Sequence, residues 1–305
     1  MNGTLILTLG LCVLVLAILS SLALSLSRLR LELPPSSPET FLAAHGAPGR
    51  PDGTAVRERP LVVCAGDSLT HGAVSADWVG MLRTRMPDAE FVNAGVNSEL
   101  AWNLHKRLDP IVALDPDFVT ILIGTNDVNA TFGFRASLPY LTLQKLPERP
   151  TAPFYREMLT LIVRRLKADT RARLALVSLP PIGEDPGHYA FLRSEEYSAI
   201  VRELARAEGT AYLPLRERML AYLEGLPKTQ NLRFEDFGRA GQGALWSHAM
   251  LGKSWDEIGA ANGFHLLVDG LHLNTHAAAM MADLAEGFIR DGRTAARAQA
   301  PGGTA

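Results

Sequence analysis

A chain of 305 residues with 47% hydrophobic and 20% charged side chains is long enough to bury a sizeable core, in one large or two small domains. Its 30 basic and 32 acidic side chains leave a net charge of -2 and a pI near 6.5, without the basic excess that phosphate neutralisation demands, so nucleic acid is not an expected partner. With 26 Gly and 19 Pro the collagenous and wholly disordered classes are also excluded, while a mean hydropathy of +0.07 is high for a soluble chain.

The N-terminus accounts for that excess. No side chain from Met1 to Ser27 is charged, and residues 5–26 form an apolar run. At about 1.5 Å per residue a helix of roughly 20 residues crosses a hydrocarbon core, so residues 1–30 are expected to be a transmembrane anchor. A cleaved signal peptide is the alternative, although its apolar core usually spans about 7 to 15 residues behind a basic start, and Met1 to Thr4 carries no Lys or Arg. Arg28 and Arg30 directly after the run lean towards a cytoplasmic domain; export after cleavage remains the alternative. Cys12 and Cys64, one inside this run and one in a strand candidate, offer no structural disulfide. Residues 31–60 hold six prolines and no sustained period, and read as a semi-extended linker.

From residue 61 short β-branched runs alternate with helical spacing. Strands are expected at 61–65, 90–93, 118–123, 174–178 and 210–213, mostly apolar throughout, as strands covered on both faces should be. Core-facing helical stripes appear at Trp78, Val79, Leu82 and Met86; at Phe154, Met158, Leu161, Ile162 and Leu166; at Tyr197, Ile200, Val201 and Leu204; and at Ala277, Met281, Leu284, Ala285 and Phe288. This alternation implies a three-layer α/β/α domain over 61–291 with a mainly parallel sheet, whose ligands bind at the carboxyl ends of the strands. Residues 128–153 and 226–268 exceed ordinary connections and are apolar enough to pack over a cleft, or to be outer elaborations. Residues 292–305, small and polar, read as a flexible tail.

Three strand ends and one late loop carry the chemistry. The first strand runs into Gly66-Asp67-Ser68, where Ser68 can present its hydroxyl and its N–H to the same cleft; a turn or N-cap serine is the plain alternative. The second ends at Gly95, a glycine that lets backbone approach a ligand. The third ends in Gly124-Thr125-Asn126-Asp127, with Asn126 a neutral amide donor at the same rim. In Asp269-Gly270-Leu271-His272, three-residue spacing can bring the carboxylate to imidazole Nδ1 and leave Nε2 to take a proton from a serine.

Together these blocks resemble the GDSL-type, or SGNH, serine hydrolases, in which four separated blocks supply Ser, Gly, Asn and His. The match runs from Leu61 to about Phe288. The resemblance implies a flavodoxin-like parallel sheet, with Ser68 as nucleophile, His272 as general base and then acid, and Asp269 as its orienting carboxylate. It further implies an oxyanion hole from the Ser68 and Gly95 N–H groups and the Asn126 side chain, with no cofactor. One departure is Asn97-Ser98, where the family often has a further glycine.

Other patterns are weaker. His272 and His276, four apart, lack the H-E-x-x-H glutamate or a third ligand, so no metal is expected. Gly252-Lys253-Ser254 lacks the first glycine of a phosphate loop, and no G-x-S-x-G elbow occurs. The expected activity is ester hydrolysis through an acyl-enzyme, on acyl esters of lipids, thioesters or other small esters. Carbohydrate O-acetyl esters come second, and a non-catalytic membrane-anchored binding module is the rival of another class. Acyl and alcohol specificity and oligomeric state are not legible in the residues.

Overall fold

The first strand candidate is apolar at every position, and it becomes an interior strand of the sheet, buried along its whole length. In the computed structural model, which describes residues 32–47, 57 and 59–299, the chain divides after Glu32, and the unit from Leu33 onward carries every element below. Five strands, β1 (Leu61–Gly66), β2 (Glu90–Gly95), β3 (Phe118–Leu122), β4 (Arg173–Val177) and β5 (Ala211–Leu213), form one parallel sheet in the order β2-β1-β3-β4-β5. Each starts within one residue of its expected position, and the flavodoxin-like order agrees with the expected sheet.

Among the described residues thirteen α-helices accompany the sheet. In chain order they are α1 (Pro38–His45), α2 (Ser68–His71), α3 (Trp78–Arg85), α4 (Ala101–Lys106), α5 (Asp109–Ala113), α6 (Thr125–Asn129) and α7 (Phe134–Leu143). Then follow α8 (Ala152–Asp169), α9 (Tyr189–Glu208), α10 (Leu215–Leu223), α11 (Phe237–Leu251), α12 (Trp255–Ala261) and α13 (Thr275–Gln299). Helix α13 packs on α3 and α10, while α8 packs on α4 and α9, which gives the outer layers. The four predicted stripes fall on α3, with Met86 just past its end, α8, α9 and α13, and their Leu82, Ile162, Tyr197 and Met281 are fully buried in the core, whereas Leu161, expected in the α8 stripe, is exposed.

Three expectations need correction. Of the segment read as a linker, the described stretch 33–46 is packed against the domain: Ser37 caps α1 by accepting from the Thr40 N–H, with Pro38 in the first turn. The Ser36 carbonyl accepts from the Asn93 N–H at 2.9 Å, so this segment covers the open edge of β2, which a sheet edge requires. The tail is also shorter than expected, since α13 continues through Gln299. It is held there by Arg293 on Asp88 and by Arg173, whose Nη1 donates to the Gly292 carbonyl. Finally, the long stretches are not loops: the first contains α7, the second α11 and α12. The anchor expected at 1–30 lies outside the described residues; among the described residues no helix is long and apolar enough to cross a membrane.

Register places the site. Gly66 at the end of β1 pairs with Gly95 of β2 and with Leu122 of β3, so the residues that follow the three strands emerge on one rim.

Candidate active site

Directly after β1, Asp67 caps α2 through its Oδ1, which accepts from the Leu69 N–H at 3.0 Å, and this fixes Ser68 as the first helical residue. The Trp78 indole N–H adds a bond of 3.0 Å to the Leu69 carbonyl. Ser68 Oγ lies 2.9 Å from His272 Nε2, and His272 Nδ1 lies 2.7 Å from Asp269 Oδ2. Asp269 Oδ1 also accepts from the Leu271 and His272 N–H groups at 3.0 and 2.9 Å. Burial works against the charge on Asp269, but the His272 ring and these hydrogen bonds outweigh it and hold the carboxyl below its ordinary value. A serine next to an imidazole whose far nitrogen is bound to an ionised carboxylate is an activated nucleophile.

The loop that carries the pair is clamped from outside. Glu184, in the connection after β4, accepts from the His265 N–H on Oε2 at 2.8 Å and from Leu266 and Leu267 on Oε1 at 2.8 and 3.0 Å. The Gly183 N–H reaches the Gly270 carbonyl at 2.8 Å, and the Val268 N–H reaches the His272 carbonyl at 2.8 Å. Helix α11 closes over the acid: a side chain on Gly241 would stand 2.7 Å from Asp269 Oδ2, so only glycine lets the helix come this near. No local pattern marks Glu184, because its partners lie about 80 residues away.

The other blocks converge only in part. Asn126, on α6, donates from Nδ2 to the Glu99 carbonyl at 2.9 Å, makes a long 3.5 Å contact to Asp67 Oδ2, and accepts from Tyr140 Oη at 3.0 Å. Gly95 does not play its expected role. Its N–H is already spent on Asn93 Oδ1 at 2.9 Å, and a side chain there would collide with the backbone of Thr70 and His71, so this glycine serves close packing of β2 on α2. The next candidate is Ser98, which holds the left-handed φ of 65° that glycine takes most easily. Val96 and Glu99 bond their N–H groups to the Gly66 and Val96 carbonyls, whereas no bond from the Ser98 N–H is made among the described residues.

Beneath this rim lie three buried acids. Burial pushes the Asp67 carboxyl up to about 7 and that of Asp127 up to about 8. Asp127 accepts from the Ala101 N–H through Oδ2 alone, and its Oδ1 has no hydrogen-bond partner, which further favours the neutral acid. Burial also raises Glu99, against the opposing pull of Arg107. Arg107 donates from Nε to Glu99 Oε2 at 2.6 Å and from Nη2 to the Ala94 and Gly66 carbonyls at 2.9 and 3.3 Å, tying the ends of β1 and β2 together.

Residues 64–277 match the GDSL-like lipase/acylhydrolase family, more than half of the chain. The chain belongs to that family. As a GDSL-like hydrolase it is an enzyme that acts on ester bonds. Among curated proteins none matches it. Among solved structures it is similar to the acetyl xylan esterase AlAXEase, at 18% identity over 75% of this chain and 99% of that one, with a TM-score of 0.52. It is also similar to Axe2, an acetylxylan esterase from Geobacillus stearothermophilus (18%, 76% and 94%, 0.51), and to a lipase/acylhydrolase from Enterococcus faecalis (20%, 76% and 96%, 0.51). These likenesses show that the GDSL-like hydrolase shares its fold with them.

Proposed function

We propose that this enzyme hydrolyses acyl esters through a covalent acyl-Ser68 intermediate. The observation that carries the proposal is the continuous chain from Ser68 Oγ through His272 to buried Asp269, at 2.9 and 2.7 Å. As Ser68 Oγ bonds to the ester carbonyl carbon, its proton passes to His272 Nε2, and the carbonyl π pair becomes the oxyanion. Collapse breaks the bond to the alcohol, which leaves with the proton from His272. Water then repeats the sequence, with His272 taking its proton, and releases the acid and free Ser68. Asp269 holds the imidazole in the required tautomer throughout.

The Ser68 N–H, the Asn126 Nδ2 N–H that makes only the long 3.5 Å contact to Asp67 Oδ2, and the Ser98 N–H are the donors best placed to receive the oxyanion. The first and third make no bond among the described residues, and the second is held at the rim by Glu99 and Tyr140. A single such donor is typically worth about 2.7–4 kcal/mol in the transition state.

Hydrophobic or small acyl esters are the first substrate class, because both insertion helices present apolar side chains to solvent: Phe134, Leu138 and Leu143 on α7, and Trp246, Met250 and Leu251 on α11. An O-acetylated carbohydrate is the second, on the strength of the acetyl xylan esterases that share the fold. The uncharged run at 5–26 would tether the enzyme to a membrane. Protection of the domain from external protease on intact cells would place it on the cytoplasmic side; digestion would place it outside.

The test is turnover of p-nitrophenyl esters of graded chain length and of acetylated xylan by wild type and Ser68→Ala, beside labelling with a fluorophosphonate. Labelling and turnover that both vanish in Ser68→Ala support the mechanism. Turnover that survives the substitution refutes it.

A further inference from the structure

Asn126 is the one side-chain donor of the proposed oxyanion hole, and its amide is oriented from two sides. The Glu99 carbonyl takes one hydrogen of Nδ2 at 2.9 Å, and Tyr140 Oη donates to Oδ1 at 3.0 Å. With the oxygen occupied by a donor and one hydrogen by an acceptor, a flipped amide would lose both bonds, and the second N–H, engaged only in the long 3.5 Å contact to Asp67 Oδ2, is the one that can turn to a developing charge. A donor on Oδ1 also draws electron density from the amide nitrogen and strengthens that last N–H, the polarisation expected within hydrogen-bond chains.

Tyr140 comes from α7, inside the first long insertion, and its seat is built separately from the main core. Tyr140 and Leu141 pack on a satellite cluster of Leu100, Ala130 and Leu146. Asn103 locks that cluster by accepting from the Leu100 N–H at 3.1 Å and donating to the Gln144 carbonyl at 3.0 Å, just past the end of α7. The insertion therefore delivers one hydroxyl to the amide that the site depends on.

We propose that Tyr140 is a positioning residue for ester hydrolysis: its hydroxyl sets and polarises the Asn126 amide for the oxyanion. The proposal rests on the oxyanion role of Asn126 given above. Because the oxyanion charge exists only after attack, the hydroxyl acts on the transition state and leaves ground-state binding unchanged. Tyr140→Phe keeps the ring in the satellite cluster and removes only the donor.

The test compares wild type, Tyr140→Phe, Asn126→Ala and the double variant in the full chain, by kcat, KM and thermal midpoint on p-nitrophenyl acetate. Tyr140→Phe should lower kcat by about ten-fold, a fraction of the roughly 10²–10³ lost with a whole oxyanion donor. Its KM should stay within about two-fold and its midpoint should match wild type. In the Asn126→Ala background the second change should cost nothing more. Wild-type turnover in Tyr140→Phe, with Asn126→Ala strongly impaired, overturns the role of Tyr140 and leaves that of Asn126 standing. An equal loss from Tyr140→Phe in both backgrounds does the same. Wild-type turnover in Asn126→Ala overturns the oxyanion assignment, and the role of Tyr140 with it.

Discussion

Glu184→Ala tests whether the triad is held by a residue that never touches substrate. The carboxylate accepts three backbone N–H groups of residues 265–267, of which those of Leu266 and Leu267 belong to fully buried residues. Leaving a buried donor without its partner costs about 1–3 kcal/mol, so two of them set a range of about 2–6 kcal/mol. Glu184 also borders a cavity of about 930 Å³ shared with Phe191, Leu220 and His265, through which water can reach the freed groups, and this favours the lower half of that range. For a domain of this size about 2–4 kcal/mol corresponds to a thermal midpoint roughly 4–16 °C lower. Glu184→Gln keeps one accepting oxygen and should fall between wild type and Ala. Urea and thermal unfolding followed by circular dichroism supply the stability, and p-nitrophenyl acetate turnover supplies kcat. Since residues 265–267 lead directly into Asp269, kcat should fall with stability. A thermal midpoint within about 1 °C of wild type, with kcat unchanged, would refute the clamp.

Three further outcomes are expected. Asp269→Asn preserves shape but favours the wrong imidazole tautomer, and should lower kcat by on the order of 10⁴ with little effect on KM; a steady-state loss below about ten-fold would show that His272 is oriented by other groups. Gly95→Ala should destabilise by about 1–3 kcal/mol through collision with the backbone of Thr70 and His71; wild-type stability in urea unfolding would show that β2 and α2 can part. The pH dependence of stability follows from Asp67 and Asp127, whose carboxyls stand at about 7 and about 8 in the fold against 3.8 when unfolded. The folded chain retains protons that the unfolded chain releases, so this stabilisation is complete below the unfolded value and is lost as pH rises through 7 to 8. The thermal midpoint should fall between about pH 5 and about pH 9, with a shallower slope in Asp127→Asn; a flat or rising midpoint in wild type would contradict the neutral acids.

Most of the sheet and the Asp269–His272 pair were legible because both are written locally. A short apolar run covered by helices on both faces reads as a strand whatever surrounds it, and Asp269 and His272 are joined by a three-residue turn. What was missed depends on distance or on competing local signals. Ser37-Pro38-Glu39 is a helix start, yet the surrounding prolines made the segment read as a linker, and only the open edge of β2 explains why it packs. Gly95 was a reasonable donor until the Asn93 side chain, two residues earlier, proved to occupy its N–H. Tyr140, Arg107 and Glu184 act on partners brought near by topology, across 14, 41 and 81 residues, and no periodicity records such pairings.

The bond between Ser68 and His272 spans 204 residues, and every strand of the sheet is complete at Leu213, well before the histidine is reached. At ribosomal speeds of about 5–20 residues per second the nucleophile emerges roughly 10–40 s ahead of its base. A nascent or C-terminally clipped chain can thus contain the whole sheet and still be inert. On the proposed mechanism reactivity appears only as the last elements are synthesised, and a chain that stops short of His272 lacks the base that would turn Ser68 on nearby esters.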